Sequence, residues 1–339
     1  MDVTFDGDRA RGGQSAREQF YDSRGYGHPS EGDLSLAAVE AAHLLYRGDL
    51  DTVRDTRDGV RLDFEGFLAL DSVSEVDFFV YKDLRDRGFY LSTDGSEDFV
   101  VYPRGKGPWD DEIAYRVRTR SERIDVRAPA VQELAAGAET GVLAVVDEES
   151  AVSYFEVAEP TVEGSTSHDV PDVAGELLAD RVLVSDPPRS LHQQAFYGQP
   201  LDGDGSAVQL SLVEAAYLAG DGTLELRDGG RSAVLDRGQA VEGERFDRRL
   251  RVYERLRESG IVPKTGFKFG ADFRTYANVE SVDDLGHSEY LVRVLPAGHN
   301  FEPRDLALDV RLAHGVRKEM RFALVDEDID WLAVTRLTP

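Results

Sequence analysis

The chain has 339 residues, more than one hydrophobic core usually organises, so two or more domains are expected. Hydrophobic residues make up 41% and charged residues 31%, which excludes wholesale disorder, and no apolar run is long enough to span a bilayer. A formal net charge of −26, from 65 acidic and 39 basic residues, argues on average against a polyanionic partner.

So dense a carboxylate surface suits a halophile's protein, because molar salt shortens the Debye length to roughly 3 Å. Under such screening a local cationic patch still holds phosphate. The start MDVTFDGDRARGG has no basic region followed by an apolar one, so neither leader nor membrane anchor is expected, and the protein is expected in the cytoplasm. The absence of cysteine rules out disulfides and thiolate metal ligands.

From the N-terminus, an alanine-rich helix is predicted over Leu34 to Tyr46, before Gly48. Val76, Phe79, Val80 and Leu84 predict a second helix, stopped by Gly88. Two strand-like runs, Gly141 to Val146 and Ala151 to Val157, meet at a hairpin tip made of Asp147, Glu148 and Glu149. Pro160 to Pro171, with Gly164, Ser165, Thr166 and Ser167, reads as a linker. Beyond it a helix is predicted over Leu210 to Ala219, and another through Phe246, Leu250, Tyr253 and Leu256, ending at Gly260. Strands follow at Tyr290 to Leu295, Met320 to Val325 and Trp331 to Leu337, with a helix from about Asp305 to Arg317 that Pro303 helps to start.

The second half echoes the first. Val39-Glu40-Ala41-Ala42 with Leu44 recurs as Val213-Glu214-Ala215-Ala216 with Leu218, a shift of 174. Val80-Tyr81 and Leu84-Arg85 recur as Val252-Tyr253 and Leu256-Arg257, and Asp98-Phe99…Tyr102 recurs as Asp272-Phe273…Tyr276. Ala144 to Glu148 matches Ala323 to Glu327. An ordered series at nearly constant spacing means tandem duplication of a unit of about 170 residues, too long for a solenoid repeat. Each copy reads as α+β, a mixed sheet with helices packed on it behind a smaller subdomain.

Three segments carry chemistry: Lys268-Phe269-Gly270-Ala271-Asp272-Phe273-Arg274-Thr275-Tyr276, His287-Ser288-Glu289-Tyr290-Leu291-Val292, and Arg311…Val316-Arg317-Lys318. In this order they resemble the archaeal tRNA-intron (splicing) endonucleases, whose catalytic half has K-F-G-x-D-F-x-x-Y, H-S-x-x-L-V and a lysine near the end of the next helix. The resemblance is strongest over Gly260 to Leu337 and extends more weakly across the whole chain, as in the type made of two fused copies that then dimerises. It implies a small helical and β N-terminal subdomain at 1–70, a degenerate, non-catalytic nuclease-like subdomain at 71–159, a linker at 160–171, a second N-terminal subdomain at 172–245 and a catalytic subdomain at 246–339, the nuclease subdomains being restriction-endonuclease-like α/β/α layers.

The implied activity is excision of introns from precursor tRNA at a bulge-helix-bulge, without metal or other cofactor, leaving 2′,3′-cyclic phosphate and 5′-hydroxyl ends. RNA rather than DNA is the expected partner, since the nucleophile is the 2′-hydroxyl. That chemistry must remove one proton, deliver another to the leaving 5′-oxygen and offset charge on phosphorus. Histidine titrates near neutrality, lysine is a compact cation, and tyrosine transfers a proton once neighbouring cations acidify it. By the resemblance Tyr276 is the general base, His287 the general acid and Lys318 the charge stabiliser; the sequence leaves open which of Tyr276 and His287 is the base. Aligning the copies sets Tyr102 against Tyr276, Asp110, in Asp110-Asp111-Glu112, against His287, and Glu139 against Lys318, so copy one has acids at two of three positions. His28, His43, His168, His192, His299 and His314 form no ligand-like pair.

For substrate grip, the family pattern has a cation where Arg311 stands, stacking on a splayed base, with an aromatic or second arginine from a neighbouring copy completing the sandwich and Arg336 and Trp331 as candidates for that other side. Trp331 serves sheet packing equally well. Lys268, Lys264, Arg274, Arg293 and Arg317 are candidate phosphate contacts. The resemblance further implies that Asp147, Glu148 and Glu149 enter a basic cleft of a second protomer, facing cations such as Arg274 or Arg293, in a two-fold homodimer. The competing readings are a metal-dependent nuclease built on Asp272, Asp283, Asp284 or Glu289, and a non-catalytic RNA-binding subunit.

Overall fold

The computed structural model describes residues 2–339 apart from Asp94, Ser96, Asp111 and Asp204, and among them no helix is long and apolar enough to cross a membrane. The chain divides into two units: residues 1–158 with 300–306 and 335–339, and residues 159–299 with 307–334.

The first unit opens with a small sheet covered by α1 (Ala38–Tyr46). This helix starts four residues later than the periodicity predicts. Leu34 to Ala37 instead close a strand, Asp33–Ala37, and Glu40 marks the helix N-terminus by accepting the Ala37 amide at 2.8 Å. Next, α2 (Glu75–Asp86), capped by Ser74 accepting from the Asp77 amide, buries Phe78, Val80, Tyr81 and Leu84. Then come β1 (Phe99–Val101), β2 (Tyr115–Ser121), α3 (Ala128–Ala135), β3 (Thr140–Val146) and β4 (Val152–Ala158). β1 is antiparallel to β2, β2 parallel to β3, and β3 antiparallel to β4.

The second unit repeats this order. Its α4 (Leu212–Asp221) is displaced by two residues from the expected span, because Ser211 and Glu214 form a capping box with bonds of 3.2 and 3.0 Å, and Gly222 in the left-handed region ends the helix. A further helix, α5 (Gly230–Glu242), escapes the periodicity because it buries only Val234 and Gly238. α6 (Glu244–Glu258) turns Phe246, Leu250, Val252, Tyr253 and Leu256 to the core. After it run β5 (Val262–Thr265), β6 (Phe273–Tyr276), β7 (Tyr290–Pro296), α7 (Pro303–Gly315), β8 (Glu319–Val325) and β9 (Ile329–Leu337). β5–β6, β6–β7 and β8–β9 are antiparallel, while β7–β8 is parallel, with Tyr290 opposite Glu319 as Tyr115 is opposite Thr140 in copy one.

The duplication holds at the level of side chains. Arg85 lies over the Tyr26 ring at 4.1 Å, and Arg257 over Tyr197 at 3.9 Å. Glu40 accepts from the Gly27 amide at 2.7 Å, and Glu214 from the Gly198 amide at 3.0 Å. This is the tandem α+β architecture expected from the sequence.

The segment read as a linker is irregular but bonded. Gly164 donates to the Ser259 carbonyl at 2.7 Å, Ser165 to Ala277 at 2.7 Å and Thr166 to Gly260 at 2.9 Å. A Cβ on Gly164 would stand 2.4 Å from the Gly260 oxygen, so only glycine lets the two backbones meet. The strap therefore runs beside the end of β6.

Candidate active site

The sheet topology of the second unit gathers the three predicted catalytic residues. β6 is antiparallel to β7, so the end of β6 lies beside the start of β7; β7 is parallel to β8, so their starts are neighbours. Tyr276 ends β6, His287 lies just before β7, and Lys318 immediately precedes β8. All three therefore occupy one end of the sheet. The crossing points are bonded: the Glu289 amide to the Thr275 carbonyl at 3.1 Å, the Glu319 amide to the Glu289 carbonyl at 3.4 Å, and Lys318 Nζ to the Ser288 carbonyl at 2.5 Å.

Each side chain is presented differently. The Tyr276 ring is buried against Phe196, whose ring meets it edge-on at 5.6 Å. Its hydroxyl has no hydrogen-bond partner among the described residues and is not sealed from solvent. His287 is exposed, and its ring is also unbonded among the described residues. Lys318 follows Arg317, whose φ of +57° is left-handed, and the Lys318 amide bonds back to the Ala313 carbonyl at 2.9 Å, ending α7. Among the described residues five non-glycine side chains have positive φ, and two of them, Phe196 and Arg317, flank this site. Burial lowers the Lys318 ammonium from its ordinary range, the Arg274 guanidinium lowers it further, and Glu289 opposes both.

Arg274 shares a face of β6 with Tyr276, two residues on, and lies 5.9 Å from its ring centroid. Its Nε is buried without a partner. In the motif segments Lys268, Arg311, Arg317 and Lys318 also lack a carboxylate partner among the described residues, in a protein with 65 acids and 39 bases. The acids of the same stretches are committed. Asp272 is buried and bonded to Arg245 at 2.5 Å and to the Val294 amide at 2.8 Å, while Asp309 holds Arg293. Glu289 accepts from the Ala277 amide at 3.0 Å, and Asp283 and Asp284 sit on an exposed turn. Among the described residues no three His, Asp or Glu side chains come together as a metal site would require.

The remaining sequence-derived candidates fall out unevenly. Lys268 and Arg311 are exposed beside the motif segments. Trp331 packs on the core of the second unit and pairs with Ala323, five residues up β8 from Lys318, or about 16 Å at strand rise. Arg336 is exposed near the end of β9, among the residues that group with the first unit. Arg293 is turned to Asp309 and is not a free cation. At the hairpin tip, Asp147 accepts the amides of Glu149 and Ala151, both at 2.9 Å, and so builds its own turn, whereas Glu148 and Glu149 are exposed, Glu148 with Arg123 at 2.9 Å.

At the equivalent positions of copy one, Tyr102 follows β1 as Tyr276 ends β6, and Glu139 precedes β3 as Lys318 precedes β8. Glu139 grips Arg116 at 2.7 Å, and Asp110 accepts the Gly107 amide at 2.9 Å. Asp111 lies outside the described residues. His43 is buried and held down to about 4 by burial and by Arg85, in keeping with a structural histidine. Sequence reasoning missed Phe196, which carries no motif, and the ion pair of Lys264 with Glu214, at 2.8 Å and buried at both ends, which fixes the Phe196 and Gly198 carbonyls.

A family model of the tRNA intron endonuclease catalytic C-terminal domain matches residues 75–154 and 246–331, and one of the tRNA intron endonuclease N-terminal domain matches residues 1–68 and 173–237. A tRNA-splicing endonuclease of Haloarcula marismortui is 60% identical over 352 residues, covering 100% of both chains. Those of Halobacterium salinarum and Methanococcoides burtonii are 52% identical over 356 residues, covering 100% of each chain, and 37% identical over 348 residues, covering 97% of each.

Proposed function

The chain belongs to the tRNA intron endonuclease family, and on that premise we propose that it excises introns from precursor tRNA by metal-independent cleavage at a bulge-helix-bulge. The observation that carries the mechanism is the convergence of Tyr276, His287 and Lys318 on one sheet end amid cations without acid partners. The 2′-oxygen next to the cut attacks its own phosphorus and loses its proton to Tyr276 acting as the phenolate, which becomes the phenol. The P–O5′ bond breaks, His287 gives a proton to the departing 5′-oxygen, and a 2′,3′-cyclic phosphate is left behind. Lys318, with Arg274 beside it, offsets the charge gathered on the phosphoryl oxygens. The Asp272 carboxylate, which a metal-dependent reading would use, is held by arginine and a backbone amide, and this disfavours that reading.

The test is cleavage of an intron-containing precursor tRNA in high salt with EDTA, followed by identification of the ends. Cyclic phosphate and 5′-hydroxyl ends are expected, and deoxyribose at the cut should abolish cleavage while binding persists. Ends bearing 5′-phosphate, or activity lost to EDTA, would overturn the mechanism.

The active assembly in this reading is a two-fold homodimer in which the acidic hairpin of copy one docks on copy two of a second protomer. Two features support it. Glu148 and Glu149 stand exposed at a built turn, and the second unit has a groove of about 510 Å³ in which Arg181, Arg249 and Lys264 are paired with Asp180, Glu242 and Glu214 while Arg274 has no carboxylate partner among the described residues. An unmatched cation facing exposed carboxylates is what registers such a contact.

A further inference from the structure

Phe267 is 86% exposed, more than any other large hydrophobic side chain among the described residues, so its position owes nothing to its own burial. It is held by its backbone. The turn between β5 and β6 closes through the Gly266 amide on the Asp272 carbonyl at 3.1 Å, the Phe269 amide on Gly266 at 2.8 Å and the Ala271 amide on Gly266 at 3.3 Å. Gly266 is needed there, since a Cβ would stand 2.8 Å from the Ala271 oxygen. An aromatic ring presented to water on a stiff turn loses little freedom when a ligand covers it.

Its surroundings say what covers it. Phe269, two residues on, has its ring 6.0 Å from Lys318 Nζ, so the turn borders the site of chemistry. The charged residues exposed on this turn and on the end of α7 are cations without a carboxylate partner among the described residues: Lys268, Arg311 and Arg317. An exposed aromatic face flanked by cations is the arrangement that holds single-stranded nucleic acid, the ring taking a base and the cations the phosphates. Leu308, Leu312 and Val316, each about 40% exposed along α7, could also be covered by a second copy of this chain. The RNA is favoured, because its phosphate must come to Lys318 and its neighbouring nucleotides must then pass this turn.

We propose that Phe267 is the stacking platform for an unpaired base beside the cut. This rests on the RNA-cleaving reading above, and the platform would make Phe267 a determinant of bulge recognition, separate from the groups that move protons.

The test uses full-length protein and a bulge-helix-bulge RNA with deoxyribose at the cut and 2-aminopurine at each unpaired position in turn. Wild type should quench one position on binding; Phe267→Ala should not, and Phe267→Trp should restore it. With cleavable RNA, Phe267→Ala should raise KM roughly tenfold with kcat nearly unchanged. That loss should persist in molar KCl, whereas the loss from Lys268→Ala should fade as salt screens it. Unchanged quenching in Phe267→Ala, or a change in its sedimentation in place of its RNA affinity, would overturn the proposal. Wrong cleavage ends from wild type would sink the mechanism yet leave the quenching result to decide stacking.

Discussion

Glu214→Gln removes one charge from a pair sealed at both ends, Lys264 and Glu214 being 10% and 8% exposed and 2.8 Å apart. Burial alone would push the Glu214 carboxyl up, but the Lys264 ammonium and the Ser211 and Gly198 amides override it and hold it down to about 2. Glu214 meets Lys264 and the Gly198 amide through one oxygen and the Ser211 amide through the other, so glutamine must set its NH2 against one of these donors and leaves the ammonium without a counter-charge, with the Phe196 and Gly198 carbonyls at 3.2 and 3.0 Å. Breaking a buried pair from one side costs roughly 3–5 kcal/mol, and the two carbonyls left behind set this case near the low end, about 3 kcal/mol. For a unit of this size that lowers Tm by roughly 6–12 °C. Molar KCl should not erase the loss, because a buried pair is little screened. A carboxyl held low in the fold contributes its stability above its unfolded value, near 4.3, and surrenders it as pH falls through about 2, so wild type and variant should converge between those limits. Phe196 leans on Tyr276, so kcat should also fall, roughly ten- to a hundredfold, with little change in KM. Urea and thermal unfolding in high salt measure the first effect. A loss below about 1 kcal/mol would refute the reasoning that this pair holds the wall behind the tyrosine.

Alanine at Tyr276, His287 or Lys318 should slow single-turnover cleavage by roughly 10²–10⁴ with folding and RNA affinity nearly intact, while Tyr102→Phe should leave the rate unchanged; equal damage from Tyr102→Phe would contradict the silent copy. Arg274→Gln relieves one of the two influences that lower the Lys318 ammonium, so the alkaline limb of the pH–rate profile should move to higher pH, and an unmoved limb would separate Arg274 from the site. Glu148→Lys with Glu149→Lys should yield a monomer by sedimentation that no longer cleaves although its triad is intact; a dimeric, active variant would return these acids to the role of a solvated turn.

The site was legible because its residues sit next to strand ends, where short motifs fix both residue type and place. Tyr276 closes β6 and Lys318 opens β8, so strand order alone carries them together. The supports were not legible. Phe196 and Glu214 precede Tyr276 by 80 and 62 residues in the chain and meet β5 and β6 only through tertiary packing that no local period encodes. Trp331, for which the sequence offered base stacking and sheet packing alike, is partly buried against the core of the second unit. Likewise the Pro160 to Pro171 stretch reads as a linker from its glycine and serine, while its backbone hydrogen bonds tie it beside Tyr276. Helix boundaries slipped where a capping pair overruled the apolar period, at Glu40 and at Ser211 with Glu214.

The two copies also resolve how so acidic a chain takes a polyanion. A net charge of −26 repels RNA only beyond the screening length, and within it the local count decides. In copy one two cations near the equivalent positions are neutralised, Arg116 by Glu139 and Lys106 by Asp110 and Glu112, while Arg104 lies over the Phe89 ring. In copy two Asp272 and Asp309 are drawn into bonds with Arg245 and Arg293 of the same unit and Glu289 accepts the Ala277 amide, which leaves Lys268, Arg274, Arg311, Arg317 and Lys318 without an ion-paired carboxylate among the described residues. The same fold thus carries more ion-paired cations at these positions in copy one than in copy two. On the proposed roles of Tyr276, His287 and Lys318, an activity transplanted into copy one would require freeing Arg116 from Glu139 as well as supplying a histidine and a lysine.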